Sequence, residues 1–187
     1  MARNQEGNLK VQKARILLLL VFCLIPLGCS QESVIYNFTF GPRGPIEGAN
    51  QIALRYSSHG ERSLILSVEV EELNLTPAGG FDFDIVFGPE VLEYSWVTEG
   101  NFLENGGGVT YAIERDQENL GLIHVSIRQV GGAEAVTGSG SLFTIRFHAL
   151  EEGTTYIDFA NTEILGGGPD FSPMGGVLWY GGLVVVY

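Results

Sequence analysis

Asp82 and Asp84 stand two residues apart, and in an extended chain that spacing places both carboxylates on one face. A pair so placed could ligate a metal, share a proton, or accept hydrogen bonds from a partner's donors. A second set with the same spacing, His124, Ser126 and Arg128, offers an imidazole, a hydroxyl and a guanidinium. Nothing among these residues makes a catalytic constellation. His59 sits beside Gly60 in a turn, His124 and His148 lie in separate apolar runs, and there is no G-x-S-x-G elbow for a nucleophile. The glycine triplets 106–108 and 166–168 precede no basic helix start and are expected as loops, not phosphate cradles. No enzyme, cofactor or metal is expected, and the domain should fold without a metal ion.

The elements that must hold these residues show in the alternation around them. In GFDFDIVFGPEVLEY, Gly80 to Tyr94, residues Phe81, Phe83, Ile85 and Phe87 share one parity, while Asp82 and Asp84 share the other. Such a run is a half-buried strand. Gly88-Pro89 stops it, and Val91-Leu92 and Tyr94 resume as the expected pairing strand beyond a short corner. In LIHVSIRQV the inward set is Ile123, Val125 and Ile127; in FTIRFHA it is Phe143, Ile145, Phe147 and Ala149.

Nine such runs follow one another: 52–56, 64–73, 81–87, 92–97, 109–114, 122–129, 142–149, 155–159 and 177–186. Gly, Pro, Asn and Asp clusters divide them, and no stretch carries sustained helical spacing. The expectation is an all-β, antiparallel β-sandwich of about nine strands, occupying residues 50–187.

Ahead of this domain, Arg3, Lys10, Lys13 and Arg15 precede an apolar run from Ile16 that ends at Gly28. The run is shorter than the roughly 20 residues a membrane-spanning helix needs, and it has the form of an export signal over residues 1–28. Leu27-Gly28-Cys29-Ser30 resembles the bacterial lipoprotein processing site. Cys23 would be discarded with the leader, which leaves Cys29 without a disulfide partner and suited to lipid attachment. Residues 29–49, with Gly41-Pro42-Arg43-Gly44-Pro45, are expected as a tether that lends one edge strand.

The leader holds four of the ten basic residues and one of the 22 acidic ones, so the remainder carries six arginines against 21 carboxylates, a net charge of −15. That balance disfavours nucleic acid, and membrane contact is expected through the lipid anchor alone. The sequons at Asn37 and Asn74 are expected to be coincidental in a chain whose leader resembles that of a bacterial lipoprotein.

GFDFDIVFGPEVLEY, LGLIHVSI, GSGSLFTIRFHALEEGTTYIDF and a closing GGLVVV, in that order, resemble a cohesin domain over about residues 51–187. The resemblance implies a nine-stranded sandwich of jelly-roll topology and no catalysis. It also implies that one flat sheet face binds a calcium-loaded dockerin module, in assemblies that degrade polysaccharides. Asp82 matches the family's partner-binding aspartate, and Ser126 and Arg128 match outward positions on a neighbouring strand; Asp84 and His124 complete the expected partner-binding set. Gly80 and Gly88 replace the family's frequent asparagine and corner aspartate, and FSPMGG has no counterpart to its late acidic contact.

Two other classes compete. A carbohydrate-binding module of related fold would bind polysaccharide by stacking sugars on a row of rings, for which Tyr94, Trp96, Trp179 and Tyr180 are the candidates. A structural envelope lipoprotein would need no partner. A row of rings would favour sugar, and a flat polar face of Asp82, His124, Ser126 and Arg128 would favour protein.

Overall fold

A computed structural model describes residues 34–44, 48–106, 109–117, 121–130, 134–167 and 173–187, with backbone alone at 75–76, 105–106 and 109–117. Cys29 and the 1–28 leader lie outside the described residues. Among the described residues eleven strands run in chain order: β1 Phe38–Pro42, β2 Gln51–His59, β3 Ser63–Val86, β4 Leu92–Glu99, β5 Val109–Gln117, β6 Leu122–Gln129, β7 Val136–Ala149, β8 Gly153–Gly166, β9 Pro173–Met174, β10 Leu178–Tyr180 and β11 Gly182–Val186. They build a jelly-roll β-sandwich.

The centre is β3, 24 residues long, which serves both layers. Its first part, from Ser63 to Val70, lies between β2 and β7; β10 and β4 pair outside those two. Its last part, from Gly80 to Val86, lies between β6 and β8. There β5 pairs outside β6, and β11 followed by β1 pairs with the early half of β8.

The sequence suggests two runs, 64–73 and 81–87, where the structure has one strand. The Asn74–Gly80 cluster bends the strand and does not end it: pairing with β7 slips after Val70 and again after Leu73, and Glu72 adopts a left-handed φ of 45°. The expected hairpin of 81–87 with 92–97 is also absent. Val91 and Leu92 donate their backbone N–H to the Gly88 carbonyl, and the tight turn delivers β4 to β7 in the opposite layer. The expected last strand, 177–186, is two strands split at Gly181: β10 runs parallel to β2, while β11 joins β8. Phe38 of β1 is buried in the core, so residues from the tether region belong to the sheet.

Between the layers the inward parity is as the alternation dictates. Phe81, Phe83 and Ile85 are fully buried, with Ile123, Val125 and Ile127 beside them. Phe83 stacks on Phe143 from β7 at 5.8 Å and meets Phe159 and Trp179 at 5.6 and 5.0 Å, so one ring joins four strands. Phe87 sits edge-on to Phe147 at 5.1 Å.

Candidate functional site

With the phenylalanines of β3 held inward, its other parity must face out. Asp82 and Asp84 project from the centre of the β8–β3–β6–β5 layer. Antiparallel register places Ser126 directly opposite Asp82 and His124 opposite Asp84, with Gly80 opposite Arg128. All five residues expected to bind a partner therefore come together on one face.

Asp84 differs from the simple solvated residue that alternation suggests. Its side chain is only 10% exposed, because neighbours close over it: His124 Nδ1 donates to Oδ1 at 2.8 Å and Asn161 Nδ2 donates to Oδ2 at 2.6 Å. Asp82, 24% exposed, has the other ring nitrogen of His124 at 3.6 Å and Arg128 Nη2 at 3.7 Å. Two carboxylates thus share one imidazole, with a guanidinium half in solvent at the edge. Satisfied networks of this kind are stiff, so the exposed oxygens keep fixed positions.

Asn161 is the residue that alternation could not reveal. Between Asp82, which pairs with Glu163, and Asp84, which pairs with Ala160, β8 carries extra residues and bulges. Asn161 takes a φ of 47° there, in the left-handed region that asparagine tolerates, and its amide reaches Asp84. The expected strand 155–159 ends just short of this bulge, and the asparagine after it was the available signal.

Gly80 has a packing reason. A Cβ there would stand 2.7 Å from the Ile127 carbonyl oxygen, so a side chain at this position would push β6 away from β3. Each aspartate has one small and one larger neighbour across the sheet: Ser126 and Glu163 beside Asp82, Ala160 and His124 beside Asp84. Among the described residues, no cluster of three or more His, Cys, Asp or Glu side chains could hold a metal ion.

The aromatic candidates do not form a row. Trp179 packs on Phe83 and Phe159, Tyr94 is buried, and Trp96 lies under the Arg146 guanidinium at 5.8 Å. Tyr180 follows Trp179 on the opposite parity of β10 and is half-buried.

The sequence profile of the cohesin domain matches residues 58–169, more than half of the chain. No curated protein sequence matches. Among solved structures, a type II cohesin domain from the cellulosome of Acetivibrio cellulolyticus is similar with a TM-score of 0.57 and 17% identity, over 74% of this chain and 95% of that one. The seventh ScaB type I cohesin of Pseudobacteroides cellulosolvens gives 0.55 and 13%, over 71% and 88%. The sixth cohesin of Acetivibrio cellulolyticus scaffoldin B, solved in complex with the Cel5 dockerin, gives 0.52 and 13%, over 79% and 96%.

Proposed function

This chain belongs to the cohesin family, and from that premise we propose that its β8–β3–β6–β5 face docks a dockerin-type protein module without catalysing a reaction. The observation that carries the reading is the network of Asp82, Asp84, His124, Arg128 and Asn161 on the outer face of this layer. Its carboxylate oxygens are acceptors set in place before a partner arrives, which lowers the ordering cost of association. A partner that presents hydroxyl, amide or ammonium donors at this spacing suits it.

Calorimetric titration with candidate dockerins is the test. The double change Asp82→Ala with Arg128→Ala should weaken binding by more than about 1 kcal/mol, since interface energy concentrates in a few central residues. Full affinity in the double variant would overturn the assignment of this face. Titration with soluble glucans tests the carbohydrate reading, which the burial of Tyr94 and the packing of Trp179 against the core do not favour.

The proposal extends to place and role. We read the chain as an exported lipoprotein anchored to the cell envelope at Cys29, supported by the basic start, the apolar run and the Leu27-Gly28-Cys29 site. A neighbour drawn from a cellulosome supports a part in polysaccharide degradation. Cys29→Ala should release the protein from the membrane fraction or stall its processing, and mature protein without acyl chains by mass spectrometry would remove the anchor from the reading.

A further inference from the structure

The outer face of the other layer holds a pocket of about 560 Å³, open to solvent, between the turn leading into β3 and strands β4 and β7. Arg62, Ser63, Arg146 and His148 line it, with Glu61 and Glu93. We propose that this pocket binds a carboxylate-bearing sugar, a uronic acid residue.

The two arginines carry the inference. Arg146 Nη2 donates to Ser63 Oγ at 2.9 Å and its guanidinium lies over the Trp96 ring, while its buried Nε–H has no hydrogen-bond partner. Ser63 belongs to the outward parity of β3, yet it is only 3% exposed and forms a polar floor. Arg62 Nη2 donates to the Ala149 carbonyl at 3.2 Å, and its guanidinium lies 5.8 Å over the Tyr36 ring. Each guanidinium is therefore oriented by one hydrogen bond and one aromatic face, with further N–H groups unused.

Elsewhere the arginines meet carboxylates: Arg43 pairs with Asp158 and Arg55 with Glu71. Among the described residues, Arg62 and Arg146 pair with none, although Glu61 and Glu93 line the same pocket and the chain has 22 acidic residues against ten basic ones. Two oriented, unneutralised guanidinium forks fit a planar carboxylate.

The carboxylates decide what kind of carboxylate ligand. Glu61 and Glu93 would repel a bare inorganic anion, which brings no donors to them. A neutral sugar would satisfy the glutamates with its hydroxyls and leave the guanidiniums unmatched. A uronic acid meets both sets, its carboxylate on the arginines and its hydroxyls on the glutamates. The volume lies in the range of small-molecule sites and admits one or two sugar rings.

The pocket and the docking face lie on opposite layers, so this inference stands apart from the docking proposal. The protein is titrated, in chelator, with trigalacturonate, with the matching neutral galactose trimer and with inorganic phosphate. Trigalacturonate alone should bind. Arg146→Gln and Arg62→Gln should each weaken it about tenfold, the loss expected for a charge-assisted hydrogen bond, and Asp82→Ala should leave it unchanged. Where Arg146→Gln disturbs folding, as its thermal transition would show, Arg62→Gln at the exposed turn decides. Absence of trigalacturonate binding, equal binding of phosphate or of the neutral trimer, or full affinity in Arg62→Gln would overturn the proposal.

Discussion

The two halves of β3 do the same work inside and different work outside. Inward, Leu64, Leu66, Val68 and Val70 of the first half and Phe81, Phe83 and Ile85 of the second are all buried in one core. Outward, Glu71 of the first half is neutralised by Arg55 and bonded by Gln51. Asp82 and Asp84 of the second half are held by an imidazole, an amide and a more distant guanidinium. The first closes with a direct ion pair, whereas the second shares one imidazole between two carboxylates.

The largest expected effect tests what the halves share. Phe83→Ala should cost about 3–5 kcal/mol in denaturant unfolding, because the ring bridges strands of both layers and its removal leaves a cavity. A loss below about 1 kcal/mol would mean that the second half does not share the core of the first.

Next comes the outer row. Asp84→Ala should cost about 1–3 kcal/mol, since it removes a nearly buried carboxylate that accepts from both the Asn161 amide and the His124 ring, whereas the more open Asp82→Ala should cost about 0.5 kcal/mol. Equal losses in thermal and chemical unfolding would erase the distinction between a structural and a presenting aspartate.

The smallest effect lies at the end of β4 in the first layer. Slight desolvation and the neighbouring Glu104 carboxylate push the Glu99 carboxyl up from its ordinary value. A raised acid favours the folded state when protonated, so its stability is present in acid and is lost as pH rises through the carboxylate range. The group is exposed and screened. Glu99→Gln should therefore raise the neutral-pH Tm by about 1 °C or less, and leave it unchanged in acid. A larger gain that persists in acid would point to packing instead of charge.

Much of this was legible beforehand because period-two alternation is a direct record of burial. Asp82, Asp84, His124, Ser126 and Arg128 needed only parity to be assigned to outer rows, and the register then brought them together. Parity carries no information about partners across the sheet, so the closure of Asp84 by Asn161 was hidden by a bulge that interrupts the alternation. The continuity of β3 was hidden for a related reason: proline and glycine between Thr76 and Phe81 mark an irregularity, and a bend inside a paired strand has the same composition as a loop. The pocket at Arg62 and Arg146 was out of reach, since it joins a turn to β4 and β7 from distant parts of the chain.

The shared strand has a consequence for how the chain reaches its native state. Only the β2 pairing of β3 is a local hairpin; its other partners, β6, β7 and β8, are made far later in the sequence. Both layers take their central strand from β3, so pairing in one layer helps to fix the strand that the other needs. Folding dominated by such distant pairings belongs to the millisecond-to-second range, and the two layers should form and melt in a single cooperative transition. Until β8 arrives, the edge of β3 that carries the aspartates is an unpaired template, and the charges at Asp82 and Asp84 then discourage the wrong strand from joining it.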